Sequence, residues 1–418
     1  MRLIAGLLAL LTLAVACAGA SPPEVTVLVA GDPFELAAYR EVVEASGLAV
    51  RLIEVTERDE LIARLSSSIA GGEPPDLFLL NYRYHSQFMA TGAVAPMQPF
   101  VDRSEILAEG DFYPRVLDVF REDGALTCLP QNAATLVVYV NERLFSSAGV
   151  PLPAAEWMWD EMVGRAQLLT RDLDGDGVVD VHGLGVEPEI IRIAPLVWSV
   201  GSELVDRENE PTRFALANPV AVSAVQAFLD LRSRFEVVPT DEEAESQDLE
   251  SRFLAGRIAM LIESRKVVPS FRTIESFEWD VAPLPPIGDP ANVLHSDAYC
   301  LTSASDHKEE AFRFVEFALG PEGQRILSEA GRIVPVRPDI AESEAFLDPQ
   351  EAPASSQVFL DQLATTRALP RIAAWPEIED AANALVEEAF YDPVGGAEAG
   401  ELVLALIAET RPLFGRQG

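Results

Sequence analysis

Lysine is nearly missing: Lys266 and Lys308 are the only two in 418 residues, so almost all of the 31 basic side chains are arginines. Against them stand 67 carboxylates, for a formal net charge of −36. A surface this acidic repels phosphate backbones and anionic headgroups, which removes the main driving force for nucleic-acid binding and for electrostatic attachment to a membrane. Histidine is scarce too. His85, His182, His295 and His307 are scattered and are expected at the surface. The chain carries no His-Glu-x-x-His pair, no Gly-x-Ser-x-Gly elbow and no Gly-x-x-x-x-Gly-Lys phosphate loop. An exported glycoside hydrolase stays open as the rival class, but with 67 carboxylates an acidic pair is uninformative. Internal repeats, which a scaffold or adhesin would lead one to expect, are absent.

Long apolar runs are absent after the first. Arg2 precedes an apolar stretch from Leu3 to Val15, too short for a bilayer span of about 20 residues and of the length of a signal-peptide core. Ala14-Val15-Ala16-Cys17 resembles a bacterial lipoprotein box, which implies a signal peptide over 1–17, acylation of Cys17 and a linker over 18–23. Membrane contact is then expected only through that lipid anchor, and the site of action is extracytoplasmic, in the periplasm or at the cell surface. Only Cys128 and Cys300 remain, in an oxidising compartment where a bridge persists.

What is present is alternation. Val25 to Ala30 reads as a buried strand, Phe34 to Ala45 as a helix and Ala49 to Val55 as a second strand. Leu61, Ile62, Leu65 and Ile69 share one face of a helix that stops at Gly71-Gly72, and Asp76 to Leu80 reads as a third strand. Strand and helix continue to alternate through Ala134 to Val140, Trp157 to Leu169, Ala221 to Leu231 and Ile258 to Ile262. A helix capped by Ser305-Asp306 follows. Such alternation predicts parallel sheets, with ligands beyond the carboxyl ends of the strands, which draws attention to Asn81-Tyr82-Arg83-Tyr84.

Several stretches in this order resemble the sugar-binding extracellular solute-binding proteins of ATP-binding-cassette importers, the family that includes the maltose-binding proteins. They include Pro75-Asp76-Leu77-Phe78, Ala90 to Pro96, Leu129-Pro130 and Val138-Tyr139-Val140-Asn141. Phe253 to Met260, Trp279 to Pro285, Gly320-Pro321-Glu322-Gly323-Gln324 and Gly331-Arg332-Ile333-Val334-Pro335 complete the set. The resemblance implies an α/β, two-lobed periplasmic-binding-protein fold of type II, each lobe a mainly parallel sheet flanked by helices and joined by hinge crossovers. By analogy one lobe takes residues 24–132 and 297–338, the other 133–296 and 339–418. It implies no required cofactor, a monomer, a sugar-like solute and a membrane permease as partner. Cys128 and Cys300 would flank the same hinge, as a disulfide or as two buried thiols, with the bridge favoured.

A sugar offers hydroxyls and a weakly apolar face, so its site calls for flat rings and forked polar groups. Asn81, Tyr82, Tyr84, Gln131 and Asn132 fit that need, as do Asp297 and Tyr299 at the return crossover. Trp198 and Trp375 resemble aromatic positions lining the cleft of relatives, whereas Trp157, Trp159 and Trp279 are expected in the core. Where many relatives carry a glycine and a tryptophan, this chain has Ser264-Arg265-Lys266. Arg265 is therefore a candidate for an acidic or phosphorylated sugar, or else pairs internally with an aspartate. Asp172, Asp174, Asp176, Val178 and Asp180 match ligand positions of a calcium loop, although position 12 is Gly183. Structural calcium and a plain polar Asp-Gly turn are the two readings.

Overall fold

The computed structural model describes residues 24–391 and 398–416. Cys17 and its preceding segment lie outside the described residues. Two sheets organise the chain. The first contains β1 (Val25–Ala30), β2 (Val50–Val55), β3 (Leu77–Asn81), β4 (Val94–Ala95) and β5 (Cys128–Pro130). The second is built from β6 (Val137–Asn141), β7 (His182–Gly185), β8 (Ile258–Glu263) and β9 (Trp279–Pro283). The chain then returns to the first sheet as β10 (Asp297–Thr302).

The first sheet runs β2-β1-β3-β10-β4, with β5 also paired to β10. Its parallel part is β2-β1-β3. Every residue of β3 is buried, and its run of apolar side chains lets the strand be covered on both faces. Asp76 fastens β3 to β1 by accepting from the Thr26 N–H and hydroxyl, both at 2.8 Å. The helix Pro33–Ser46 buries Leu36, Tyr39 and Val42 on one face, and Asp32 caps it by accepting from the N–H groups of Phe34 and Glu35. The helix Arg58–Gly71 closes on Gly72 at φ 77°, a left-handed cap that suits glycine.

Mainly parallel pairing holds for those three strands and not for the second lobe. There β6 runs antiparallel to both β8 and β9, and only β8 and β7 are parallel, in the order β9-β6-β8-β7. β10 is likewise antiparallel to β3, β4 and β5. The reason is topological: β6 and β10 are strands by which the chain arrives from the other lobe, so their direction is not set by a local βαβ crossover. Among the single-element expectations, the helix near 305 also differs. It spans Lys308–Leu319 with His307 at the N-cap position and no side-chain cap; the Ser305 hydroxyl lies one turn earlier, donating to Asp76 and accepting from the His307 N–H.

Three extended segments cross between the sheets side by side. Ala133 donates to Val334 O at 2.9 Å, Ala134 to His295 O at 2.7 Å, and Gln131 to Asp297 O at 2.8 Å. β5 and β10 face each other at Cys128 and Cys300, which are joined by a disulfide with Cα atoms 4.5 Å apart. The helices Trp375–Tyr391 and Ala399–Phe414 pack on the helix Pro219–Ser233 beside the second sheet. Three tryptophans expected in the core, Trp157, Trp159 and Trp279, are buried.

Candidate functional site

The carboxyl ends of β1, β2 and β3 open into a cavity of about 430 Å³. Gly31 and Asp32 reach it from β1, Glu57 and Arg58 from β2, and Asn81 and Tyr84 from β3. Glu250 and Lys266 approach from the side of the second sheet, and Asp297 and Arg332 from the crossing segments. A second cavity of about 190 Å³ shares Asn81, Arg58, Lys266, Asp297 and Arg332 with the first. It adds Asn132, Arg192, Glu263 and His295. The two therefore form one gap between the sheets, above the crossing segments.

Its walls are ionic. Arg332 joins Asp32 at 2.9 Å and Glu35 at 2.8 Å, and its Nη1 also donates to Lys266 O at 2.6 Å, tying the two sides together. Burial pushes the Glu35 carboxyl up, against the pull of Arg332 and a 2.6 Å hydrogen bond from the Tyr39 hydroxyl. All ten residues of the helix Ile190–Ser199 are buried, and Arg192 is its one charged residue. Arg192 Nη2 donates to Glu263 Oε2 at 2.8 Å, and Lys266 Nζ lies 3.2 Å from the same oxygen. Burial alone would raise the Glu263 carboxyl, but Arg192, Lys266 and the Ser264 N–H outweigh it and hold it well below the usual carboxylate range. Burial, with Arg83 and Arg192 nearby, keeps His295 neutral by lowering its pKa.

Of the residues singled out in the sequence, Asn81, Tyr84, Asn132 and Asp297 line the gap. Asn132 and Asp297 are bonded to each other twice: the amide donates to Asp297 Oδ2 at 3.2 Å and accepts from Asp297 N at 3.0 Å. Tyr82 lies elsewhere. The helix Tyr82–Ala90 starts right at the strand end, which sends Tyr82 into the core, where its hydroxyl accepts from Leu369 N at 3.0 Å. Gln131 and Tyr299 are fully enclosed beneath the gap. Trp375 is also enclosed, its ring 6.1 Å from Phe214. Trp198 sits under Arg367 beside a separate small hollow.

Arg265 faces neither the gap nor an aspartate. It is wholly buried, with its guanidinium over the rings of Phe346 and Phe359 at 4.3 and 5.0 Å and one hydrogen bond to Ser356 Oγ. Burial lowers its pKa to about 9. A planar, weakly hydrated guanidinium tolerates such stacking where an ammonium would not. The histidines are less exposed than expected: His85 and His182 are buried and only His307 is substantially open.

The residues that sequence reasoning passed over are Asp32, Glu35, Arg58, Arg192, Glu263 and Arg332. Two signals pointed at them. The strand-end rule that picked Asn81 applies equally after Ala30 and Val55, and a lone arginine in Ile190-Ile191-Arg192-Ile193 must be paid for by a buried partner.

Far from the gap, carboxylates of Asp172, Asp174 and Asp176 lie within 4.8 Å of one another in an exposed loop. Asp172 accepts from the N–H groups of Gly175 and Gly177, and Asp180 from that of Leu173. Gly183, at the twelfth position, cannot be replaced by a chelating glutamate: a Cβ there would sit 1.9 Å from Ala166 O.

A gap above three crossing segments, walled by two sheets, defines a two-lobed solute-binding protein. The chain belongs to the family described as bacterial extracellular solute-binding protein, whose model matches residues 35–325. It is 24% identical over 385 residues to a binding protein of Brucella abortus, with 90% of each chain covered. Its fold matches that of an ABC substrate-binding protein from Listeria monocytogenes in complex with cycloalternan, at TM-score 0.85 and 22% identity, over 94% of this chain and 99% of that one. UgpB from Mycobacterium tuberculosis in complex with glycerophosphocholine matches at TM-score 0.80 and 18% identity, over 94% and 99%. Among the described residues no helix is long and apolar enough to cross a membrane.

Proposed function

We propose that this chain captures a small, oxygen-rich solute, a sugar or a close relative of one, outside the cytoplasm and delivers it unaltered to the permease of an ATP-binding-cassette importer. The observation that carries the reading is the 430 Å³ gap at the strand ends, bordered by groups from both lobes and from the crossing segments between them. Binding would favour the closed arrangement because only there do Lys266 and Glu250 reach a guest held by Asn81 and Asp297. The chain acts as a monomer with no required cofactor, held at the membrane by a lipid on Cys17. The neighbours' ligands, cycloalternan and glycerophosphocholine, support oxygen-rich solutes as a class. A thermal-shift screen over mono- and oligosaccharides, sugar acids, polyols and glycerol phosphates tests this. At least one class should raise the melting temperature, while a screen in which none does, or turnover of any glycoside, overturns it.

Calcium in the loop 172–180 is part of the same proposal, as a structural ion. The donors are Asp172, Asp174, Asp176 and Asp180 with the carbonyl of Val178, hard oxygens at the spacing that suits the ion. Calcium should raise the melting temperature and a chelator should reverse the rise. Equal melting with and without the ion removes it.

A further inference from the structure

The smaller cavity lies against the N-terminus of the helix Ile190–Ser199, the positive end of its dipole. In the first turn Ile190 donates to Asn383 Oδ1, and Arg192 and Ile193 donate to Glu189 O, which leaves the N–H of Ile191, a wall residue, without an intrahelical acceptor. Arg192 is 7% exposed. One of its nitrogens is bonded to Glu263, while Nε and Nη1 have no hydrogen-bond partner, and the Glu189 carboxylate stands 4.0 Å from Nε, beyond bonding reach. Nε2 of His295, in the same wall, is also unpartnered, and it donates only in the tautomer that carries its proton there.

Buried donors are normally satisfied, so their concentration at one cavity asks for an acceptor supplied from outside the chain. Of the carboxylates that line this cavity, all but Glu189 are engaged, and Glu189 stands too far from Arg192 to bond it. Glu263 accepts from Arg192 and the Ser264 N–H, Glu35 from Arg332 and Tyr39, and Asp297 from Asn132. What Nε and Nη1 of Arg192 lack is therefore an acceptor oxygen within bonding reach, and a guanidinium binds a charged one in a forked, directional way.

We propose that the smaller cavity is an oxyanion subsite with Arg192 as its principal ligand-binding group, and that the solute is a sugar or polyol bearing a carboxylate or a phosphate. This rests on the solute-binding reading above and narrows it. An overall charge of −36 gives the protein no general attraction for anions, so selectivity comes from this one donor cluster.

Calorimetric titration of the mature protein with glucose, glucuronate and glucose 6-phosphate tests the inference. One of the two acids should bind at least tenfold tighter than glucose, and which of them does so separates carboxylate from phosphate. Arg192→Gln should abolish that preference and Arg192→Lys should restore part of it. The comparison of the three probes on the unmodified protein needs no variant, so it stands even where a substitution disturbs folding. If glucose binds as tightly as both acids, or Arg192→Gln keeps the preference, the subsite falls and solute binding survives. If none of the three binds, the subsite as assigned falls, and the solute-binding reading is decided by the wider thermal-shift panel.

Discussion

Arg83, on the helix Tyr82–Ala90, and Glu379, on the helix Trp375–Tyr391, form an ion pair that is almost fully buried where the two helices meet. Around it Ser86 donates to Arg371 O at 2.9 Å, Arg115 to Thr366 O at 3.0 Å, and Arg371 to Asp118 O at 2.9 Å. This seam joins elements of the first lobe to a segment packed on the second, and its Arg83 also borders the smaller cavity. Removing one partner of a buried pair leaves a bare charge and costs about 3–5 kcal/mol. Arg83→Met is therefore expected to lower unfolding free energy by about that amount in urea and to enlarge the radius of gyration by small-angle scattering. An unchanged radius would show that the seam does not hold the lobes together.

Glu263 makes stability depend on pH. Its folded pKa lies below the unfolded value of about 4.3, so its contribution is complete above that pH and drains away as pH falls through the folded pKa. The melting temperature of Glu263→Gln should lie below the parent's by a constant gap from pH 5 to 8, and the gap should narrow below about pH 4. A gap that widens in acid contradicts the assignment.

The Cys128–Cys300 bridge closes a loop of 172 residues. Chain-entropy arguments give such bridges about 2–4 kcal/mol, with long loops at the upper end. The paired Cys128→Ser and Cys300→Ser substitution is expected to lower the urea midpoint accordingly without changing which solutes bind.

Tyr82 and Tyr84 should separate stability from binding. Tyr82→Phe orphans the Leu369 N–H and is expected to cost about 1–3 kcal/mol while solute affinity stays put. Tyr84→Ala, at the gap, should weaken solute binding several-fold at nearly parental stability. Equal effects of the two on affinity would displace the gap from its assigned place.

The elements were legible where short-range pattern decides them. VTVLVA is β1 to the residue, and Gly71-Gly72 does end the second helix. Strand direction in the second sheet was not legible, because β6 enters from another lobe and its neighbours are far away in sequence. Tyr82 misled for a related reason. At a strand end Tyr82 and Tyr84 would share a side, but on a helix they diverge by about 200°, so one goes to the core and the other to the gap. The ionic lining was the least legible part. Arg332, Glu35 and Asp32 meet only in space, and among so many carboxylates none announces its partner.

The scarcity of lysine gives the gap a chemical handle. Lys266 lies on its rim with about half of its side chain open, while the Lys308 amine donates to Ser305 O at the start of a helix on the other lobe. Beyond the chain's own amino terminus, an amine-selective dye has two places to react. Attached at Lys266, it would report lobe closure as a change in colour or brightness, in a protein whose arginines leave the reagent almost nothing else to touch.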